Sequence, residues 1–419
     1  MNNGLCISPK LFALRAFFLL LILSLIQLFH LTVIAELDID NIAVCFFIFF
    51  IGCFYLLLLY FRINESVSWP TFNSKLFTLL FIASFTATLL FSRLPYVLSF
   101  LDNGLYYSRI DSAVGGGGWY SYISILFYPL CIIIAFLSIP RKRYYLFFAL
   151  MMIIILIDFI ALGIRGSPFF VLLFHLLMMR VKFLSFTSLI LLVCLLILLV
   201  FLIDYQTQGR SSDTFTVGWD WVNTIQYSWI FDNLKVENTT IAFVEEKSPV
   251  LFPLIYLSQY ITHSVAEFRT LFFGLSYDLV GNALYLQDQI CLIIGCDRTV
   301  TQDSIALMNP RAGLYQTLYS SLIFDFGFLG FISLAIVLLL YFSIAKVNSS
   351  FLALAVYLAI IFAVSGVENY LYNGLGLARF IVFILIWKVI SMRFVIKSIP
   401  GITCVKSKAY LADRTKASG

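Results

Sequence analysis

Long apolar runs, separated by shorter polar segments, dominate the pattern of this chain. A helix needs about 20 apolar residues to cross a bilayer, and ten runs approach or exceed that length. They cover residues 11–35, 42–61, 76–100, 119–139, 144–163, 168–180, 184–203, 314–345, 351–367 and 375–392. The run at 168–180 is short for a span and is expected to be tilted or sunk into the bundle. The pattern predicts an all-α integral membrane protein with ten transmembrane helices.

Basic residues gather in every second connection between these runs. They are Lys10 and Arg15, Arg62 and Lys75, Arg141 to Arg143, Arg180 and Lys182, Lys346, and Arg393 to Lys416. Cytoplasmic loops of membrane proteins carry such an excess of Lys and Arg. Both termini are therefore predicted to be cytoplasmic, and the long segment 204–313 is predicted to lie on the outer side.

The long segment divides the chain into four predicted regions. These are an N-terminal bundle of seven spans (1–203), the large outer loop (204–313), three C-terminal spans (314–392) and a basic tail (393–419). Inside the loop, apolar stretches at 250–261 and 268–275 are short, and Pro253 and Gln259 interrupt the first. We expect these stretches to form separate short helices that lie at the membrane interface.

Composition excludes several classes of protein. The chain is 62% hydrophobic and 12% charged, far from the balance of a soluble domain. Its net charge of +5 reflects the basic loops rather than nucleic-acid binding. The first apolar run is longer than that of a signal peptide, so an uncleaved first helix is expected. No nucleotide-binding or zinc motif is present, and neither a metal nor another cofactor is expected.

Two of the eight cysteines, Cys291 and Cys296, lie close together in the predicted outer loop. Disulfides persist on that side of the membrane, where the environment is oxidising. The alternative is two unpaired thiols packed against an apolar surface. The sequence leaves both possibilities open.

Seven arginines fall on the predicted outer side, where short loops normally exclude basic residues. They are Arg93, Arg109, Arg165, Arg210, Arg269, Arg298 and Arg311. A guanidinium holds phosphate or diphosphate with two parallel hydrogen bonds. Arg165 stands in the tight turn Gly163-Ile-Arg-Gly166-Ser167-Pro168, and Pro168 could open the next helix. For any single arginine, the alternative is contact with lipid headgroups.

Three residues are candidate general bases. His263 would share a helix face with Glu267, although a surface histidine in an interfacial helix is the alternative. Asp325 and Glu368 lie in or beside apolar runs, where each could instead be neutralised by an arginine. Asp325 also opens the sequence Asp-Phe-Gly-Phe-Leu-Gly, whose small residues would permit a kink in an overlong run or a close helix contact.

These features together resemble the O-antigen polymerases of bacterial surface polysaccharide assembly. The resemblance rests on the number of spans, the large outer loop late in the chain, the Arg-Gly turn at Arg165, and a block running from Asn309-Pro-Arg311 to Gly330. It implies a metal-independent glycosyltransferase in the inner membrane, acting in lipopolysaccharide biosynthesis. Such an enzyme joins undecaprenyl-diphosphate-linked repeat units at the periplasmic face.

The resemblance also implies roles for particular residues. Arg165 and Arg311 would bind the substrate diphosphate. Arg210 and Arg269 join that set, although neither has the glycine spacing described in some members. Arg269 and His263 match only by their position in the loop. The implied partners are the lipid-linked donor and acceptor, membrane lipid, a chain-length regulator and a flippase, without nucleic acid.

Two other functions compete with this one. An O-antigen ligase shares topology and donor but transfers the glycan to the lipid A core. A flippase or secondary transporter is also polytopic, but flippases lack a long extramembrane loop. Transporters tend to carry inverted repeats, which are not evident here.

Overall fold

The fold is described by a computed structural model. It covers residues 9–35, 39–63, 74–102, 119–136, 141–161, 166–178, 234–248, 251–274, 282–308, 317–344, 349–367, 369–371 and 376–391. Within these ranges the chain is helical and forms no β-sheet, apart from one isolated bridge between Ala35 and Val236. The all-helical class predicted from the sequence is thus confirmed for this part of the chain.

Six helices form the N-terminal part of the bundle. They are α1 (Pro9–Phe29), α2 (Ile39–Arg62), α3 (Ser74–Ala87), α4 (Trp119–Phe136), α5 (Arg141–Ile160) and α6 (Gly166–Met178). A π-helical segment, His30–Ile34, extends α1, and another, Thr88–Arg93, continues α3 towards Asp102. Arg15 of α1 donates to the carbonyl oxygen of Leu177 at 3.0 Å. This contact places a cation at the C-terminal end of α6, where the helix dipole favours one.

Seven further helices follow in the described part of the chain. They are α7 (Asn238–Lys247), α8 (Phe252–Gly274), α9 (Leu284–Ile294), α10 (Thr299–Met308), α11 (Leu318–Ile344), α12 (Ser349–Val364) and α13 (Gly376–Ser391). Gly327 interrupts α11 with φ 69° and ψ 172°, a conformation essentially restricted to glycine. The small residues of this sequence were expected to permit a kink or a close helix contact, and the structure has the kink. A disulfide joins Cys291 to Cys296, so the first of the two alternatives for these cysteines holds.

Four helical stretches are long and apolar enough to cross a membrane. They are Pro9–Ile34, Ile39–Arg62, Lys75–Asp102 and Lys142–Ile160. Shorter apolar helices accompany them at Ile125–Phe136, Gly166–Met178, Leu284–Ile294, Leu318–Gly330 and Leu354–Val364. These helices support a membrane-embedded protein. The total of ten spans and the four regions stay predictions, and the run at 184–203 lies outside the described residues.

Helix α8 differs from its prediction. It is one continuous helix of 23 residues rather than two short interfacial ones, and it packs against α1, α2 and α11. Pro253 does not interrupt it. N–H groups in the first turn of a helix have no acceptor within the helix, so the missing N–H of a proline there costs no helical hydrogen bond. Gln259 does not interrupt it either. Its buried Nε2 donates to the carbonyl oxygen of Leu234 at 2.8 Å.

Aromatic side chains hold α4, α6 and α13 together. The ring of Phe136 lies 5.8 Å from Phe174, 6.0 Å from Phe383 and 5.6 Å from Trp387, measured between centroids. Such ring pairs add to the free energy gained by burying apolar area. This packing fixes the three helices that meet at the candidate site.

Candidate functional site

A buried ion pair lies where the π-helical segment Thr88–Arg93, which continues α3, meets α4 and α5. The Nε atom of Arg93 is 2.5 Å from Oδ1 of Asp158, and a second guanidinium nitrogen donates to Oδ2 at 3.2 Å. The Tyr128 hydroxyl also donates to Asp158, and Arg93 donates to Ser92 Oγ at 2.8 Å. Arg93 and Asp158 are buried. Each charge therefore neutralises the other inside the bundle, as a low-dielectric environment requires.

A second arginine, Arg379 of α13, lies against this pair. Its guanidinium carbon is 4.9 Å from the centre of the Tyr128 ring, within the range of a cation–π contact. It also donates to Ser167 Oγ at the start of α6. Among the described residues, no carboxylate lies within 4.0 Å of this guanidinium. Counted over the described residues, the cluster of two arginines and one aspartate thus has one more positive than negative charge.

Arg379 lines a small cleft, and four of the residues in its walls are aromatic. The lining consists of Tyr128, Ile132, Ser167, Phe170, Val171, Tyr357, Tyr370, Gly376 and Arg379. The rings of Phe170 and Tyr370 stack at 4.6 Å between centroids. A methyl group on Gly376 would lie 2.0 Å from the carbonyl oxygen of Tyr370. Only glycine permits this close approach of the two chain segments.

Two residues that the sequence analysis assigned to the site lie close in sequence to residues that line this cleft. Arg165 lies two positions before Ser167, and Glu368 lies two positions before Tyr370. Arg165 and Glu368 are themselves outside the described residues, as are Arg210 and Arg311. Their predicted roles stay predictions.

His263 is buried in α8, so the alternative of a surface histidine is wrong. Its Nδ1 lies 2.6 Å from the carbonyl oxygen of Tyr260. A carbonyl oxygen can only accept a hydrogen bond, so Nδ1 carries the proton of the neutral ring. Nε2 is then the nitrogen that can take up a second proton. Glu267, one turn further along α8, is buried as well. Arg269 is more exposed and pairs with Asp40 at the start of α2, at 3.6 Å.

Asp325 caps a neighbouring helix. Its carboxylate oxygens accept the backbone N–H groups of Tyr285 and Leu286 at 2.8 and 2.9 Å, and its carbonyl oxygen accepts that of Ala283 at 3.0 Å. Asp325 is fully buried. An aspartate in this position satisfies donors that the first turn of α9 cannot pair internally. This geometry favours a structural role for Asp325 over that of a general base.

A polar junction links α8 to the segment that leads into the cleft. The carbonyl oxygen of Gly366 accepts from Ser264 Oγ at 2.6 Å and from Gln27 Nε2 at 2.7 Å. A few residues on, Asn369 Nδ2 donates to Ser321 Oγ at 2.8 Å. Gly366 thus contacts the helix that carries His263, and Tyr370 lines the cleft.

No protein-family model, curated protein or solved structure matches the chain. The site is therefore interpreted from its own geometry. Within the described ranges, no group of three or more His, Cys, Asp or Glu is placed to hold a metal ion.

Sequence reasoning missed Arg379 and Tyr128. Arg379 lies inside the apolar run at 375–392, close to its predicted outer end, much as Arg93 lies inside the run at 76–100. An ionisable residue within a span is a strong functional signal. Applied to every run, that criterion would have found Arg379.

Proposed function

We propose that this chain is an O-antigen polymerase, a membrane glycosyltransferase that joins lipid-diphosphate-linked oligosaccharide units at the periplasmic face of a bacterial inner membrane. The observation that carries the proposal is the guanidinium of Arg379, which lines a partly aromatic cleft and, among the described residues, has no carboxylate within 4.0 Å. A charge in such a place is costly unless an opposite charge accompanies it. A diphosphate supplies that charge and matches the two-pronged geometry of a guanidinium.

The location of the cleft favours a substrate anchored in the outer leaflet. Arg93 and Asp158 lie near the ends of their helices, whereas Ser167 and Arg379 lie near the starts of theirs. Under the orientation that the basic loops predict, all four positions are on the outer side. The diphosphate of a lipid-linked glycan lies at that depth, at the membrane surface.

The charge balance of the cluster gives its two arginines different tasks. Arg93 is held by Asp158, and the same carboxylate accepts the Tyr128 hydroxyl, so the ion pair fixes the position of Tyr128. Arg379 has only hydroxyl and ring partners among the described residues, so its charge is available to a ligand. Charge that develops on the leaving diphosphate would be stabilised by this preorganised cation.

The transfer itself forms one bond and breaks one. The acceptor hydroxyl oxygen bonds to the anomeric carbon of the donor sugar, and the bond from that carbon to the diphosphate oxygen breaks. The hydroxyl proton passes to a base, and the lipid diphosphate leaves. His263 and Glu368 are the candidate bases, since α8 contacts Gly366 and Tyr370 lines the cleft, and Glu368 lies between these two residues in the sequence. Arg165, next to Ser167 along the chain, is the candidate second diphosphate ligand.

Deletion of the gene tests this function against its closest alternatives. Gel separation of the surface polysaccharide should reveal lipid A core carrying single repeat units and no long chains. A core with no repeat unit at all would indicate a ligase or a flippase instead. An unchanged ladder of chain lengths would contradict the proposal.

A further inference from the structure

Two helices begin at the cleft that Arg379 lines. Ser167 is the second residue of α6, and Arg379 lies in the first turn of α13, which begins at Gly376. All three residues line the cleft. The start of a helix carries a partial positive charge, because its first N–H groups have no acceptor within the helix. Two helix starts and a guanidinium thus bring charge of one sign together, and this arrangement favours an anion.

Tyr357 of α12 places a buried phenol at the same cleft. Only 4% of this residue is exposed, and it is part of the cleft wall. Its ring packs against Phe170 of α6 at 5.5 Å and against Phe383 of α13 at 4.7 Å, measured between centroids. No hydrogen bond joins its hydroxyl to another described residue. Because buried hydroxyl groups are normally hydrogen-bonded, the position of Tyr357 is suited to a partner that binds in the cleft.

Hydrogen-bond donors predominate around the cleft, and none of its described lining residues is acidic. The buried Nε of Arg379 has no acceptor among the described residues. Ser167 Oγ accepts a hydrogen bond from another nitrogen of Arg379, so the serine O–H group can donate in turn. The Tyr128 hydroxyl, by contrast, donates to Asp158. Arg379, Ser167 and Tyr357 therefore match a ligand that carries negative charge and several acceptor atoms.

A phosphoryl group suits these donors better than a carboxylate does. The donors come from three helices, since Ser167 belongs to α6, Tyr357 to α12 and Arg379 to α13. The oxygens of a phosphoryl group point in tetrahedral directions and are strong acceptors, so each can meet a donor from a different helix. A carboxylate has only two oxygens, in one plane with their carbon. Because the cleft is small, we expect the phosphoryl oxygens to enter it and the attached groups to stay at its mouth.

We infer that the hydroxyl groups of Tyr357 and Ser167 bind phosphoryl oxygens of the lipid-linked donor together with the guanidinium of Arg379. The identity of the ligand rests on the proposed function, whereas the choice of residues rests on the cleft. Tyr357 is then a substrate-binding residue, and the rings of Phe170 and Phe383 hold its hydroxyl in place. The phosphate of an ordinary phospholipid headgroup shares part of this chemistry, so the experiment includes both ligands.

Equilibrium binding of radiolabelled inorganic pyrophosphate to the purified full chain in detergent tests this assignment. Tyr357→Phe should weaken binding by about 10- to 100-fold, the usual effect of losing one hydrogen bond to a charged group. The thermal unfolding midpoint of this variant should stay unchanged, because the lost hydroxyl has no hydrogen-bond partner among the described residues.

Tyr144→Phe is the matched control. Tyr144 lies near the start of α5, whereas Asp158 lies near the end of the same helix. The Tyr144 hydroxyl is 3.0 Å from Nδ1 of His175. This variant loses a hydrogen bond within the protein, so it should unfold at a lower temperature and still bind pyrophosphate normally. The two variants together separate an effect on the ligand from an effect on stability.

Ser167→Ala should also weaken pyrophosphate binding, and micelles that contain phosphatidylglycerol should compete only weakly. Normal binding by Tyr357→Phe, with the loss confined to Arg379→Ala, would overturn the inference and leave the proposed function standing. Absence of binding in the parent chain would overturn it too. Equal competition by phosphatidylglycerol would do the same, because it would assign the cleft to ordinary lipid headgroups. Since the readout involves no glycosyl transfer, a chain that binds pyrophosphate through Tyr357 but makes no polymer would contradict the proposed function alone.

Discussion

The guanidinium of Arg93 and the carboxylate of Asp158 face each other at 2.5 Å inside the helical bundle, and the Tyr128 hydroxyl shares the same carboxylate. Tyr128 in turn carries Arg379 over its ring. The ion pair therefore supports the cleft through one tyrosine. Its loss should affect stability first and the site second.

Replacing Asp158 with Asn should destabilise the protein by about 3–5 kcal/mol, because it leaves the buried Arg93 charge unpaired. The thermal unfolding midpoint in detergent measures this effect. Glu246→Gln is the control, since Glu246 pairs with Lys247 in an exposed position and such pairs contribute at most about 1 kcal/mol. Equal midpoints for the two variants would show that Arg93 does not depend on Asp158.

Gly376→Ala should displace the connection before α13 and close or distort the cleft. The added methyl group would meet the carbonyl oxygens of Tyr370 and Leu371 at 2.0 and 2.9 Å, and backbone atoms cannot move aside cheaply. Gly295→Ala is the control, since its methyl group meets nothing within 4 Å and costs only about 1–2 kcal/mol through its left-handed backbone. Polymer formation should fall for Gly376→Ala alone. Normal chain lengths in that variant would contradict the description of the cleft.

The sequence predicted much of the bundle, because apolar runs and basic loops follow directly from the physics of a bilayer. Local residue size also indicated that α11 could kink or approach a neighbour closely near Gly327, and the structure has the kink. The sequence did not predict the continuity of α8. A proline at a helix start and a buried glutamine are tolerated only when the tertiary structure supplies the right partners, here the carbonyl oxygen of Leu234 for Gln259.

The site was harder to predict than the fold. Arg379 donates a hydrogen bond to Ser167, which lies more than 200 positions earlier in the sequence. No periodicity in the sequence predicts such a contact. The role of Asp325 was also hidden, since its partners are backbone N–H groups of a helix 39 and 40 residues earlier. Side-chain chemistry alone does not distinguish a helix cap from a general base.

Asp325→Ala should loosen the start of α9. The N–H groups of Tyr285 and Leu286 would lose their acceptors, and loss of such a cap costs about 1–2 kcal/mol. Hydrogen exchange of the peptide covering the first turn of α9 should become faster. If polymer formation were lost while that exchange stayed unchanged, Asp325 would act as a base instead.

The start of α10 should respond to acid through Asp297. Hydrogen bonds from the Thr299 hydroxyl and backbone N–H hold the pKa of this carboxyl below its usual range. Because the pKa is lower in the folded state, the stabilisation is complete above the unfolded value of about 3.9 and is lost as the pH falls through the lower folded value. Rate-corrected hydrogen exchange at Thr299 should therefore rise below about pH 4. In Asp297→Asn this pH dependence should be absent, and its persistence would assign the effect to another group.

The central claim, that Arg379 binds the diphosphate of the donor, is tested most directly by polymerisation with purified, reconstituted variants and a lipid-diphosphate-linked oligosaccharide. Arg379→Ala should slow product formation by about 10²–10³-fold, in line with the loss of one preorganised charge-stabilising group, and Arg379→Lys should recover part of that loss. The control is Lys388→Ala, which removes a cation from the exposed far end of the same helix and should polymerise normally. Full activity of the Arg379→Ala variant, with Lys388→Ala also active, would contradict the account.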